Sequence, residues 1–307
     1  MSAGFSLVEA LVGVVLTMLV TGAAMSMLVP ASKVSSAQTE VMDVQQRARV
    51  AAEMIARDLA SAGAGLSVGP WRGVLPRAIP AVLPRRMGAE SGDGPDVARA
   101  TALTMLSVPS AAPQTTTAAP IGGGTLALVV NAEPQCGTSV LCGLQAGQDV
   151  LVTDGAGHFD VFRITRVSGG TGTLRHHGQD LSWTYPAGAW VSQVVARTYE
   201  FSASTRQLRQ YDGDQSDQPA VDYLSGVSFS YFGTALGSTA PVEMPLSSFT
   251  DGPWIGAGTT RFDADLLRVR GVRVSVGAEA ADAVLRARVP VFSVSLDVAP
   301  RSLSVGR

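Results

Sequence analysis

Glu9 is the only charged side chain between Phe5 and Val29. A carboxylate inside a membrane-length apolar run is expensive to desolvate, and such groups normally find a partner that neutralises them. The chemistry on offer there is charge pairing rather than proton transfer, because no second ionisable group stands in the run. Elsewhere, Cys136 and Cys142 sit close together in a Gly-containing stretch. They can close a small disulfide loop if this part of the chain is extracytoplasmic, or remain buried thiols if it is not. Asp212, Asp214 and Asp217, with Ser216, offer oxygen ligands of the kind Ca²⁺ takes. The twelfth position from Asp212 is Tyr223, where an EF-hand needs Glu, so a solvated acidic turn is the better reading. His176 and His177 are adjacent and would point to opposite faces of a strand, and no Cys or Glu cluster joins them. His158 follows Gly157 in a turn-like stretch with no evident Ser or Asp constellation. With no Gly-x-Ser-x-Gly and no phosphate-binding loop, the sequence gives no ground for an enzyme, a metal or a cofactor.

The element that positions Glu9 is the apolar segment itself. Its 25 residues, Phe5 to Val29, span about 37 Å as a helix, enough for a hydrocarbon core of ~30 Å. A cleavable secretory signal is a poor match, since the run far exceeds the usual apolar region and no basic residues precede it, although Val29-Pro30-Ala31 offers small residues before a cut. A plain signal anchor accounts for the length and leaves Glu9 without a role.

A third reading accounts for both. Gly4-Phe5-Ser6-Leu7-Val8-Glu9 resembles the type IV prepilin signature, with Gly before the scissile bond, Phe after it and Glu five residues into the cleaved chain. The resemblance implies cleavage between Gly4 and Phe5 by a prepilin peptidase and N-methylation of Phe5 by the same enzyme. It implies an assembly role in which Glu9 pairs with the Phe5 ammonium of a neighbour. The implied partners are other minor and major pilins, the inner-membrane assembly platform, and membrane lipid before assembly. The implied location is the bacterial inner membrane, single-pass with a periplasmic head, then the pilus and cell surface. The leader Met1–Gly4 departs from the family in carrying no Lys or Arg, so the positive-inside rule has little to grip and the start of translation is expected upstream.

Beyond the membrane segment, Val34, Ala37, Val41, Val44, Ala48, Ala51, Ile55, Leu59 and Ala62 fall at steps of three and four. They define one apolar face of a continuing helix over 30–62. Asp43 with Arg47, Arg49 with Glu53, and Glu53 with Arg57 stand four apart with opposite charge on its other faces. Pro30 sets up a kink, a locally melted stretch or the membrane exit, and Gly63-Ala64-Gly65 ends the helix. Residues 63–100 read as an irregular connection. A β-rich head over 101–307 follows, with strands expected at 102–108, 125–131, 149–153, 159–167, 190–201, 227–232, 266–276 and 289–298. Two loops are expected at 113–124 and 233–258. The composition, 33 Gly and 17 Pro with 16% charged residues, supports a turn-rich β body. One helix followed by many strands, with no βαβ rhythm, gives an α+β fold with the helix lying on an antiparallel sheet. The net charge of −2 argues against nucleic acid as a partner.

Local patterns extend the resemblance to PilW-type minor pilins and J-type pseudopilins. They are 44–50 and Ile55-Ala-Arg-Asp-Leu59 in the helix, Gln207-Leu-Arg-Gln-Tyr-Asp-Gly213 with 227–232 in the body, and 266–274 with Val298-Ala-Pro-Arg301 at the close. The head is large beside a typical major pilin, and so implies a minor pilin that primes assembly or sits near the tip. A pseudopilin of a type II secretion system is the alternative within the superfamily. A membrane-anchored envelope protein that never polymerises is the alternative of another class.

Overall fold

The computed structural model describes residues 6–65, 79–87, 92–137, 139–154, 156–177, 181–212, 216–234 and 241–300. Gly4 and Phe5, much of the 63–100 connection, Asp214 and Arg301 lie outside the described residues. One helix, α1 (Leu7–Ser61), runs from the apolar segment into the head. Ser6 caps its start by accepting a bond from the Val8 amide at 3.2 Å. Gly63 and Gly65 follow its end at φ of 71° and 76°, a region glycine enters without strain. A side chain at Gly65 would also collide with the Val108 carbonyl. The melted stretch considered at Pro30 does not occur, and α1 passes through it as unbroken helix. One lost hydrogen bond is too little to interrupt a helix with good formers on both sides.

Burial divides α1 into two halves. Every residue of Leu7–Leu28 is exposed, at a mean hydropathy of 2.1, and no other element among the described residues covers it. From Val44 onward the expected stripe is buried as Val44, Ala48, Ala51, Ile55, Leu59 and Ala62, with Ala52 added. Val34 is exposed and Ala37 and Val41 are half-buried, because the head begins to cover the helix only beyond them. Of the three charge pairs, Asp43–Arg47 forms at 2.6 Å and the other two do not close among the described residues.

The strands come in chain order as follows. β1 (Val82–Leu83) and β2 (Ala102–Ser107) open a first sheet. The chain then departs for residues 108–194, which carry β3 (Gln114–Thr116), β4 (Ala127–Val129), β5 (Asp149–Thr153), β6 (Phe159–Arg163), β7 (Arg166–Ser168), β8 (Thr173–Arg175) and β9 (Trp190–Gln193). These form two antiparallel sheets, β3-β9-β5-β6 and β4-β8-β7. The chain returns in β10 (Val195–Ser202), which pairs with β2 so that Val195 stands opposite Ser107. β11 (Gln207–Tyr211) and β12 (Asp217–Val221) complete the first sheet in the order β1-β2-β10-β11-β12. β13 (Leu224–Thr234), β14 (Pro241–Met244), β17 (Val269–Ala278) and β18 (Phe292–Val298) form the second, in the order β14-β13-β17-β18. The hairpin β15 (Trp254–Ile255) and β16 (Phe262–Asp263) lies between β14 and β17, and a short helix α2 (Ala283–Arg286) joins β17 to β18. The buried face of α1 packs chiefly on β17 and β18 and touches β2 and β12.

Two separate cores result. One joins the α1 stripe to both main sheets and takes in Leu151, Phe159 and Trp190 from the 108–194 insertion. The other, built from Leu128, Val150, Phe162, Leu174, Tyr185 and Val191 among others, lies inside the 108–194 insertion. The insertion leaves the first sheet beside the C-terminal end of α1, where the Gly63 amide bonds the Leu106 carbonyl at 2.7 Å and the Val108 amide bonds the Ala64 carbonyl at 2.8 Å. That end of the helix is about 50 Å from Leu28, at ~1.5 Å per residue.

Several expected strands are redrawn. The 159–167 run breaks after Arg163 and the 190–201 run after Gln193, each where the chain passes from one sheet to the next. The 266–276 run begins with a 3₁₀ turn, Ala264–Arg268, capped by Asp263. The 113–124 loop contains β3, and the 233–258 loop contains β14, β15 and a 3₁₀ turn that buries Phe249. In the connection expected to be irregular, Ile79, Ala81, Val82, Leu83 and Arg85 are buried and β1 pairs with β2. Ile55→Ala empties a side chain at full burial between helix and sheets. It is expected to lower stability by about 2–5 kcal/mol, while the exposed Val34→Ala shifts it by ~0.5 kcal/mol or less; urea unfolding of the detergent-solubilised chain checks both.

Candidate functional site

Glu9 lies in the first turn of α1, where a carboxylate complements the positive end of the helix dipole. It is exposed, as is the whole segment around it. Gly13, Thr17 and Thr21 follow it at four-residue steps, so all four share one row of the helix surface. With Ala10, Gly22 and Met25 they line a shallow groove along the helix. The Thr17 hydroxyl donates to the Gly13 carbonyl and the Thr21 hydroxyl to the Thr17 carbonyl, both at 2.7 Å, and Ser26 donates to Ala23 at 2.7 Å. These polar groups are therefore satisfied within the helix, which suits an apolar environment. A Cβ added at Gly13 or Gly22 would meet nothing within 4 Å. The chain's own packing does not require these glycines, and the row leaves room for a close neighbour. The row was legible in the sequence as Glu9-Gly13-Thr17-Thr21, a spacing that attention to Glu9 alone passes over. Gly4 and Phe5, the processing pair and the other half of the expected contact, lie outside the described residues.

Two polar clusters fix the head to the helix that carries Glu9. Asp58 accepts bonds from Arg197 Nη1 and from the Tyr199 hydroxyl, each at 2.6 Å, which ties the end of α1 to β10. Burial, reinforced by the bond to Asp58, raises the Tyr199 phenol above its ordinary value. Nearer the exposed apolar segment, Arg47 bonds Glu40 at 3.0 Å, Asp43 at 2.6 Å and the Glu279 carbonyl at 3.0 Å. Glu40 also accepts the Ala281 amide at 2.7 Å, and Glu279 pairs with Arg206 at 2.7 Å.

The remaining candidates resolve differently. A disulfide joins Cys136 and Cys142, whose Cα atoms are 4.6 Å apart, within the insertion. Asp212 pairs with Arg163 at 3.3 Å, while Asp217 pairs with Arg86 at 3.2 Å and Arg209 at 3.0 Å. Arginines occupy the carboxylates that Ca²⁺ would need, so Asp212 and Asp217 form an ion-pair network rather than a cation cage. Among the described residues no cluster of three or more His, Cys, Asp or Glu could hold a metal. His176 and His177 lie just past the end of β8 rather than in a strand; His176 is buried against Phe162 and His177 is exposed. His158 corrects the expectation, because Asp154 stands 2.5 Å from its Nδ1 and Trp183 stacks on its ring.

Sequence reasoning also missed Asp160. It is fully buried with no cation beside it, and accepts bonds from the Ser182 amide at 2.9 Å, the Ser182 hydroxyl at 2.5 Å, the Tyr185 hydroxyl at 2.7 Å and Thr260 at 3.2 Å. These contacts cross-brace the insertion to the loop before β16. Nothing in local sequence marks them, since the three partner residues, Ser182, Tyr185 and Thr260, stand 22 to 100 positions away.

No protein-family model matches the chain, and no curated protein matches it. What fold and site define is a class: an α+β protein with one exposed, membrane-length apolar helix at its N-terminal end and a β-rich antiparallel body.

Burial raises the Asp160 carboxyl, and the hydrogen bonds it accepts oppose that rise without cancelling it. A carboxyl less acidic folded than unfolded contributes stability that is complete below the ordinary carboxylate value and is lost as pH rises through the folded one. Wild type is therefore expected to lose stability relative to Asp160→Asn from about pH 4 upward. Urea midpoints for both proteins, measured between acid and neutral pH, should diverge in that direction.

Proposed function

We propose that the protein is a minor pilin of a type IV pilus, cut between Gly4 and Phe5, N-methylated on Phe5, and drawn into a filament by its N-terminal helix. The observation that carries this reading is the state of Leu7–Leu28. It is apolar, exposed along its whole length, continuous with a helix buried in the head, and interrupted by one carboxylate. Lipid satisfies the apolar surface but leaves Glu9 without a counter-charge. A neighbouring helix of the same kind satisfies both, because its cleaved N-terminus presents an ammonium at the depth of Glu9. The small row Gly13, Thr17 and Thr21 lets the helices approach while Glu9 sets their stagger. Most of the association area comes from the exposed Leu, Val and Met side chains, whose packing against a neighbouring helix replaces contact with lipid.

Two features of the head support the reading. Arg47 and Asp58 lock it to α1 at two levels, so a force or register imposed on the helix is carried to the body. The insertion then projects from the end of α1 remote from the membrane, where partner selection or a tip role would place it. The disulfide in that insertion suits an extracytoplasmic head.

Glu9→Ala is expected to leave the protein in the membrane fraction and to remove it from sheared filaments, with at least a tenfold loss in the filament-to-membrane ratio on immunoblots. That factor corresponds to about 1.4 kcal/mol, well within the cost of an unpaired charge in hydrocarbon. Mass spectrometry of purified wild type should find N-methyl-Phe5 as the first residue. An uncut N-terminus together with normal behaviour of Glu9→Leu would identify an anchored protein that does not polymerise.

A further inference from the structure

The connection from β17 to β18 lies against the stretch of α1 that follows the apolar segment. The Ala281 amide bonds Glu40 at 2.7 Å, and Arg288 and Val289 line one open groove with Val34, Ala37, Val41 and Met42. The groove has a volume of about 620 Å³. Leu285 and the buried Val289 hold the connection to the main core. The outer side is apolar and uncovered among the described residues. Val284 and Val291 in the connection are each more than half exposed, as are Val34 and Met42 on the helix.

The carboxylates at this end of the head are engaged within it. Glu40 and Asp43 pair with Arg47, and Glu279 pairs with Arg206 at 2.7 Å and Arg286 at 3.4 Å. Asp282 caps α2 through the Val284 and Leu285 amides. Arg288 differs from them: it is exposed, and its guanidinium has no hydrogen bond or ion pair among the described residues. Lys33, the only lysine in the chain, stands one residue before Val34. Depth along α1 follows from the helical rise, which puts Lys33 about 7–8 Å and Val34 about 9 Å beyond Leu28. The headgroup layer on each side of a bilayer is about 5–8 Å deep. With Leu7–Leu28 in hydrocarbon, Lys33 falls inside that layer and the groove opens at its outer edge.

We propose that this end of the head docks on the headgroup layer of an anionic bilayer, with Arg288 on a lipid phosphate and the exposed valines entering the layer beside it. An interfacial layer takes both kinds of side chain, since apolar groups sink toward the acyl boundary while a guanidinium keeps its head among the phosphates. A planar fork of donors suits a phosphate, and the attraction adds to whatever area the valines bury. The apolar segment of a second copy fits less well. It would cover the valines but bring Arg288 no counter-charge except Glu9, which the proposed assembly already pairs with an N-terminus. The inference rests on the membrane-spanning state that precedes assembly in the proposed function. It adds to that state a fixed face of the head, held down by lipid charge until the helix leaves the bilayer.

The test reconstitutes the full chain in phosphatidylcholine vesicles with and without phosphatidylglycerol, carrying a fluorophore at Ala287→Cys, an exposed position beside Arg288. Nitroxides on the lipid headgroups quench a label that lies in their layer. Quenching is expected at Ala287→Cys and should strengthen with phosphatidylglycerol. Arg288→Gln in the same background should lower the ratio of docked to free label about fivefold. A label at Leu126→Cys, an exposed site on the insertion, should stay unquenched. A label at Leu19→Cys, read with nitroxides on the acyl chains, tests the membrane span by itself. Melting curves identify variants that fold as wild type does. Quenching at Leu19→Cys without quenching at Ala287→Cys overturns the docking and leaves the span standing. Absence of quenching at Leu19→Cys overturns the span, and the docking with it. Quenching at Ala287→Cys that ignores both phosphatidylglycerol and Arg288→Gln also overturns the proposal. Shielding of that label from aqueous iodide that rises with protein density instead of lipid charge overturns it in favour of a second copy.

Discussion

The structure turns on a helix that its own chain covers over only half its length. Across Leu7–Leu28 no residue is buried, whereas Val44, Ala48, Ala51, Ile55 and Leu59 are sealed against sheet. Leaving a single Val, Leu or Met side chain in water costs roughly 1.5–3 kcal/mol relative to full burial. Summed over the segment, the free chain in water would carry a deficit larger than the whole stability of an ordinary domain. An apolar environment around Leu7–Leu28 would remove that deficit, and burial by the head stops short of this half of the helix.

That separation is achieved by chemistry specific to each half. Near the head the helix uses alanine at 48, 51 and 52 to bring its backbone close to the sheets, with Arg47 bonded just past β17 of the second sheet and Asp58 bonded to β10 of the first. Near the N-terminus the small residues have no such duty, since a Cβ at Gly13 or Gly22 would touch nothing. Small residues thus appear in both halves for different reasons. In the lower half they answer to this chain's sheets, and in the upper half only to something outside it.

Periodicity revealed the helix well because both halves present long regular patterns, and the stripe from Val44 to Ala62 is buried as its spacing requires. The groove row Glu9, Gly13, Thr17 and Thr21 was present in the letters as a four-residue step. The body was less legible for a physical reason. Its strands are short, several of two or three residues, and β1, β3, β15 and β16 have too few positions to show alternation. Runs such as 159–167 look continuous in sequence because side-chain alternation persists while the hydrogen-bond partner changes. Contacts like Asp160 with Ser182, Tyr185 and Thr260, or Asp58 with Arg197 and Tyr199, join residues far apart in the chain and leave no local signal.

The way the insertion joins the first sheet explains how so much of the chain can be added there without disturbing that sheet. It begins after Ser107 and ends before Val195, and these two residues face each other in the β2–β10 ladder. A segment whose ends are already neighbours adds little loop-closure entropy to the sheet that hosts it. It also keeps its own core, and its disulfide closes a loop within itself rather than to the body. Leu151, Phe159 and Trp190 reach from the insertion into the main core, and the polar braces Asp160 to Thr260 and Arg163 to Asp212 add to its hold on the body. Surface chemistry on the insertion can therefore change while the α1 stripe, and the placement of Glu9 that depends on it, stays as it is.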